Sequence, residues 1–543
     1  MSGSIFKRRL RFMVPPRLLT SNQPALAWNQ GMMLNRKAGG KEMAGESLII
    51  IGAGLAGLST GSYAQMNGYR SRIFEHHSKP GGVAATWKRQ GYVIEGGIHF
   101  LMGHRPGQSA YELYRELGTA QVNTFPDITT YGRFIDESSG RYLDVTTGLD
   151  RLADDLKGVS ENDTALVSGL VAGVRVMQGR DLTGMALNKP PELTRVWDRL
   201  KFVWDLRGLL KYYRGKYARS MGEFVQEVQD PWLRWVLGNM FMPEVPVWFV
   251  LMIWGLLADR QLGLLKGGSA GFVRPIEKRY LELGGQVTYR ATVEEILVEN
   301  DRAVGVRLAD GSEHRADVVV SAADGYGTIF KMLKGRYLND KIRDRFSKWE
   351  LIRPVVMVSF GVAREFNDEP WLSVIKLKQP IKLGQGEINE IIVRIFNYSQ
   401  EFAPPGKTVV QVLFESEWDF WNELQKDRPR YDDEKQRVAT EVLSRLEARY
   451  PGIYALVEVT DVATPYTTWR YTLNYRGAYE GWLPTPRVIN TAIPRTLPGL
   501  SNFYMAGQWI MPGGGVPPVI ISGRHVVQIL CHRDRKPFQA SVP

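Results

Sequence analysis

The sequence predicts an α/β protein in which a Rossmann-like dinucleotide-binding domain carries an inserted α+β domain of antiparallel sheet and helices. Three observations lead there. A buried run, Ser47-Leu-Ile-Ile-Ile51, enters the turn Gly52-Ala-Gly54-Leu-Ala-Gly57 and leaves it as a helical pattern. A second glycine loop, Gly513-Gly514-Gly515, feeds another apolar helix near the C-terminus. Between them, strand and helix patterns alternate over a span too long for one core, since 543 residues suggest two to four domains.

Composition narrows the class before any motif is used. The chain is 44% hydrophobic and 23% charged, enough apolar mass to fold. Lys+Arg 69 against Asp+Glu 57 gives +12, but the surplus is local. Residues 1–41 hold Lys7, Arg8, Arg9, Arg11, Arg17, Arg36, Lys37 and Lys41 with no acid, which leaves only +4 for the rest. Nucleic acid is therefore not an expected partner. The segment 1–43 reads as a basic tail outside the folded domain or as an upstream start ahead of Met43. It lacks a secretory apolar core, and organelle import stays open. A single cysteine, Cys531, removes disulfides and thiolate metal clusters, and the histidines show no metal-ligand spacing, so no metal is expected. The longest apolar stretch, Val245–Ala258, contains Pro246 and is too short to span a bilayer.

In the first motif, Gly52 permits a tight turn, Gly54 allows a pyrophosphate to approach the backbone, and Gly57 lets helix meet strand. The phosphate would sit on the helix N-terminus, where free N–H groups and the dipole favour anions. The next strand, Ser71–Glu75, ends in an acid 18 residues past Gly57, placed to grip ribose hydroxyls. That acid repels a 2′-phosphate, which leaves FAD or NAD. Two further glycine pairs, Gly81-Gly82 and Gly96-Gly97, bring backbone close to something flat or charged.

The stretch Lys79-Pro80-Gly81-Gly82 through Glu95-Gly96-Gly97-Ile98-His99-Phe100 resembles the flavin-binding region of the FAD-dependent amine oxidase superfamily. Asn502–Gly507 followed by Met511-Pro-Gly513-Gly514-Gly515-Val516-Pro-Pro518 resembles its phytoene desaturase, carotenoid isomerase and retinol saturase branch. Lys266–Ser269 and Thr464–Trp482 look like the same branch. The resemblance implies FAD, held by Gly52, Ala53, Gly54, Leu55, Ala56, Gly57, Glu75, His76, Gly81, Gly82, Gly97, Ile98, Val293, Gly507, Gly514, Gly515 and Val516. In the family, the position of Val293 offers its backbone to the adenine. The chain departs from many relatives at Val83-Ala84, where an arginine often follows the glycine pair.

The expected division is an FAD-binding domain from 44–110, 265–340 and 485–543, and a substrate domain from 111–264 and 341–484. Strands are read at Val287–Tyr289, Val293–Val298, Ala303–Leu308, Val318–Ser321, Val355–Val362, Glu390–Phe396 and Thr408–Glu415, with turns at Asn300-Asp301 and Asp310-Gly311. Asp432–Tyr450 reads as a helix with Val438, Val442, Leu443 and Leu446 on one face. Arg195–Arg219 carries +6 interleaved with Trp197, Trp204, Leu206, Tyr212 and Tyr217. As one helix it is a basic, aromatic amphipath, either lying at a membrane interface or covering a core. Val247–Trp254 reads as interfacial or as a buried helix of the substrate domain.

The implied activity is FAD-dependent desaturation, saturation or redox-neutral isomerisation of C–C bonds in a carotenoid- or retinoid-like polyene. A long apolar substrate, a membrane surface as partner and a cytoplasmic, peripheral location go with it. Oligomeric state has no signature in the sequence. A flavin carries the hard chemistry, so few side chains are required. His99 is the candidate acid or base; Glu95 reads as a local hydrogen-bonding acid and Lys266 as a helix-end residue. The alternatives are a flavin amine oxidase, which would want an aromatic cage and polar pocket, and a non-catalytic flavin-fold escort protein.

Overall fold

Leu48, Ile49, Ile50 and Ile51 are all buried, as expected of a parallel strand covered on both faces. In the computed structural model, which describes residues 45–541 except 182, 183, 185–188 and 206, this strand sits at the centre of a five-stranded sheet. The order is Phe503–Met505, Val318–Ser321, Ser47–Ile51, Arg70–Glu75 and Gln286–Tyr289, with every pair parallel. The basic N-terminal segment lies outside the described residues. Helix Leu55–Met66 is buried along almost its whole length beneath Gly268–Glu282 and Val516–Arg533. Gly523 of the last helix permits that contact, since a Cβ there would lie 2.7 Å from the Ala56 carbonyl oxygen.

A three-stranded antiparallel sheet, Val293–Glu299, Arg302–Leu308 and Glu313–Arg315, joins two strands of the parallel sheet. Asn300 and Asp301 turn its first hairpin with φ of 47° and 55°, the left-handed pair that a two-residue hairpin loop requires.

The largest sheet has seven strands in the order Val457–Ala463, Val355–Val362, Thr408–Glu415, Gly386–Ile395, Leu372–Leu383, Thr130–Asp136 and Tyr142–Thr146. It is antiparallel except where Leu372–Leu383 runs parallel to Thr130–Asp136. Strands from 130–146 and from 355–463 thus share one sheet. Helix Arg428–Arg449 covers one face with Val438, Ala439, Val442, Leu443 and Leu446. The strand at Leu372–Leu383 was not expected, because Lys376, Lys378 and Lys382 break its apolar pattern. Its hairpin partner starts at Gly386, four residues before the strand read at Glu390.

The amphipath at Arg195–Arg219 is not one helix. Only Val196–Asp205 is α-helical; a 3-10 turn at Gly215–Ala218 follows, and Leu209, Tyr212 and Tyr217 fold into the core. Gly215, at φ 57°, breaks the pattern where the chain turns inward. The helical half keeps its apolar stripe in solvent: Val196, Trp197, Leu200, Val203 and Trp204 are 70%, 79%, 55%, 54% and 66% exposed. Val247–Ala258, by contrast, is a buried core helix of 12 residues. Among the described residues no helix is long and apolar enough to cross a membrane.

The turn after the first strand is closed sterically. A Cβ on Gly57 would stand 1.9 Å from the Gly52 carbonyl oxygen, so neither backbone segment has room to give. Gly57→Ala is expected to cost about 1–3 kcal/mol through overpacking, read as a lower melting temperature; an unchanged melt would contradict this account of the turn.

Candidate functional site

The ends of the parallel strands converge on one point. Gly52 leaves the first strand at φ 96°, with its N–H donating to the Phe74 carbonyl at 2.8 Å. The Ala53 N–H donates to Glu75 Oε2 at 2.6 Å, and the His77 N–H to Glu75 Oε1 at 2.7 Å. Burial pushes the Glu75 carboxyl up, and those two N–H groups pull it back. The carboxyl is thus fixed in place with lone pairs to spare. The Gly81 N–H donates to the Ala53 carbonyl at 2.9 Å, so the second glycine loop is latched onto the first. No acid occupies the first turn of helix Leu55–Met66, which leaves its positive end free. With Val83-Ala84 after the pair, the cradle is built from backbone and carries no guanidinium.

The Gly96–Gly97 segment is braced by Glu95. This fully buried carboxylate accepts the Gly97 N–H and the Ser269 N–H, each at 2.7 Å, while Ser269 Oγ accepts the Ile98 N–H at 2.7 Å. Glu95 is therefore the local hydrogen-bonding acid that its position suggested. Lys266 is exposed and does not line the cavity described below. The Tyr479 hydroxyl donates to the Gly97 and Gly96 carbonyls. Its ring lies 5.9 Å from that of His99. His99 Nε2 is buried without a hydrogen-bond partner, and burial together with Arg394 holds the imidazole pKa well below its usual value. Both effects favour the neutral imidazole of His99 over the protonated form.

At the C-terminus, the Gly507 N–H donates to Ser522 Oγ at 2.7 Å, and Gly513, Gly514 and Gly515 all have positive φ. A Cβ on Gly515 would meet nothing within 4 Å, which marks open space above the start of helix Val516–Arg533. Two carboxyls went unnoticed in the sequence. Asp324, after the Val318–Ser321 strand, accepts the Gly327 N–H at 2.6 Å and the Tyr475 N–H at 2.8 Å, and burial pushes it up to about 6. Glu480 lies against the Gly514–Gly515 loop and is pushed up to about 7 by burial. The one available signal for Glu480 was a lone acid in the apolar Gly477–Trp482 segment.

All these parts open onto a single cavity of about 1810 Å³. Gly52, Gly54, Leu55, Ala56, Glu75, His76, Gly81, Gly82, Gly97, Ile98, His99, Val293, Gly507, Gly514, Gly515 and Val516 line it. Ala53 and Gly57 stand behind the wall: Ala53 anchors Glu75 and Gly81, and Gly57 closes the turn. An apolar part of the lining comes from Met240, Phe241, Met242, Phe249, Met252 and Leu256. Ordinary ligand pockets hold about 300–1,000 Å³, so the cavity has room for a dinucleotide and a second large molecule. The fixed acid at the second strand's end, the free helix end and the side-chain-free loops fit a flavin dinucleotide. Among the described residues no three His, Cys, Asp or Glu side chains converge as metal ligands.

Comparison with known proteins agrees with this geometry. The chain is similar to the chloroplastic prolycopene isomerase of Arabidopsis thaliana, 24% identical across 96% of this chain and 88% of the relative. It is 26% identical to the neurosporene-forming phytoene desaturase of Rhodobacter capsulatus, across 89% and 93% of the two chains. With the all-trans-retinol 13,14-reductase of Danio rerio it shares 22%, over 85% and 82%. The fold matches an oxidoreductase from Methanosarcina mazei with a TM-score of 0.56 and 17% identity, covering 89% of this chain and 100% of that one. It also matches putrescine oxidase bound to putrescine, with a TM-score of 0.54 and 15% identity over 90% and 99%. Residues 55–531 match the family described as flavin containing amine oxidoreductase. A family match over most of the chain, on a cavity built for a dinucleotide, makes this protein a member of the flavin containing amine oxidoreductase family with FAD as its cofactor.

Proposed function

We propose that the protein is an FAD-dependent oxidoreductase that desaturates, saturates or isomerises C–C bonds of a long apolar polyene of carotenoid or retinoid type. The observation that carries this is the continuity of one cavity from the glycine loops to a wall of methionine and phenylalanine. Methionine side chains adapt to an elongated apolar ligand without demanding a fixed polar contact. The relatives named as acting on prolycopene, phytoene and retinol support the same substrate class.

We assign the pyrophosphate to Gly52, Gly54, Gly81 and Gly82 at the helix N-terminus, and the ribose to Glu75 with His76 beside it. The adenine goes to Val293, and the ring end to Gly97, Ile98, Gly507, Gly514, Gly515 and Val516. Segments 44–110, 265–340 and 485–543 form the FAD-binding part; 111–264 and 341–484 form the substrate part. When bound, FAD supplies hydride transfer, which no side chain here can perform. The chain's own residues hold the polyene against the ring end, exclude water through the apolar wall, and place the neutral imidazole of His99, the candidate acid or base, beside the Gly97 backbone. Amine oxidation fits less well, because it would want a polar amine pocket where Met240, Phe241, Met242, Phe249 and Met252 line this cavity. A non-catalytic escort role would not need two sets of glycine loops facing one cavity.

The direction and substrate are read together by anaerobic stopped-flow spectroscopy. Oxidised holoenzyme mixed with a partly saturated carotenoid should bleach, or reduced holoenzyme mixed with a conjugated one should reoxidise. Isomer conversion by reduced enzyme without net oxidation would select the isomerase form. Reaction with polyamines and none with polyenes would overturn the assignment.

We place the protein in the cytoplasm, peripherally attached to a membrane. The exposed stripe of Val196, Trp197, Leu200, Val203 and Trp204, close to Lys201, Arg207 and Lys211, supports this. Trp197→Glu with Trp204→Glu should reduce co-sedimentation with anionic liposomes several-fold while leaving the melting temperature unchanged. Equal binding by wild type and variant would sink the interface assignment.

A further inference from the structure

Glu480 occupies the crossing between the two glycine segments at the ring end. Tyr479, its neighbour, donates to the carbonyls of Gly96 and Gly97 on one side. On the other side, a Cβ added to Gly514 would lie 2.6 Å from Glu480 Oε2, and the Gly515 N–H donates to the carboxyl. Glu480 also lines the cavity. Tyr479, on its own segment, interacts electrostatically with Glu480 and in turn with Arg394 and Glu95, while His99, Asp324 and Lys331 line the same cavity. Among the described residues no cation forms an ion pair with Glu480. Arg394 instead reaches Gln411, at 3.2 Å.

An unpaired carboxyl in such a place is held between two opposing effects. Desolvation favours the neutral acid, while the Gly515 N–H and the positive end of helix Val516–Arg533 favour the carboxylate. Desolvation wins, and the group is pushed up to about 7, so both forms exist near neutral pH. His99, by contrast, is held in its neutral form.

We propose that Glu480 is the proton-exchanging carboxyl of the ring end, its charge setting how readily the bound flavin is reduced. The inference rests on the assignment of the ring end to the Gly514–Gly515 loop. When two electrons from dithionite or an electrode enter the flavin above neutral pH, Glu480 takes up a solvent proton, and reoxidation releases it. Its carboxylate opposes electron addition, and its neutral form does not.

The test is the flavin midpoint potential from pH 5.5 to 8.5, measured by anaerobic spectroelectrochemistry on wild-type and Glu480→Gln holoenzyme. The wild-type potential should fall more steeply with pH across neutrality. The two curves should converge at low pH and separate at high pH, with the variant the more easily reduced. Glu480→Ala should follow Glu480→Gln in its pH dependence, whatever its stability. Superimposable curves, or a constant offset at every pH, would overturn the proposal. If neither variant retains flavin, redox-induced infrared difference spectra of the wild type decide: a protonated-carboxyl band gained on reduction at pH 8 upholds it, and no such band overturns it. A wild type that binds no flavin at all would instead defeat the underlying FAD assignment.

Discussion

The backbone must reach the cofactor directly, and the rest of the site follows from that. At the mouth of the parallel sheet, the Ala53 N–H grips Glu75 and the Ala53 carbonyl takes the Gly81 N–H, so one alanine peptide ties two loops and two strands together. Gly52 and Gly57 close the turn so tightly that no side chain fits between them. With the loops latched in this way, the positive end of helix Leu55–Met66 is aimed at the same space as the start of helix Val516–Arg533. Neither helix carries an acid in its first turn to compete with a ligand.

A second set of contacts joins this cradle to the seven-stranded sheet. Gln411 Nε2 donates to the Glu95 carbonyl at 2.7 Å and to Ser359 Oγ at 3.0 Å, while Glu95 holds the Gly97 and Ser269 amides. Arg394 lies over Phe396 at 4.8 Å and completes the buried layer. Glu95, Gln411 and Ser359 are buried and hydrogen-bonded, the kind of network that fixes one arrangement of two sheets, although Arg394 Nε and Nη2 are buried without a partner. They also explain the electrostatics above them. Arg394 adds its charge to the desolvation that keeps His99 neutral, and burial likewise pushes Glu480 up to about 7 and Asp324 up to about 6.

The cradle was legible in the sequence because each part is local: strand, turn and helix follow one another, and positive φ demands glycine. Val355–Val362 and Thr408–Glu415 were equally legible from their β-branched runs, and both strands match the expected residues. What escaped depended on distant partners. Leu372–Leu383 carries three lysines and is a strand because Thr130–Asp136 and Gly386–Ile395 flank it. The start of helix Arg428–Arg449 was placed four residues late, although Asp427 caps it and Pro429 follows. Arg195–Arg219 has the composition of one amphipath, but tertiary packing takes Leu209, Tyr212 and Tyr217 inside and leaves only its first half exposed. Glu480 showed only as a lone acid in an apolar segment, because its meaning comes from Gly514, 34 residues away.

The central claim is that side-chain-free backbone at the first loop makes the FAD site, and Gly54 isolates it. Gly54 has an ordinary φ of −68°, and a Cβ there would have nothing closer than the Gly81 carbonyl oxygen at 3.9 Å. Bulk at this position therefore fills the cradle without disturbing the fold. Purified Gly54→Val should melt with the wild-type apoprotein yet lack the visible flavin spectrum and take up no added FAD. Full flavin occupancy in that variant would contradict the account.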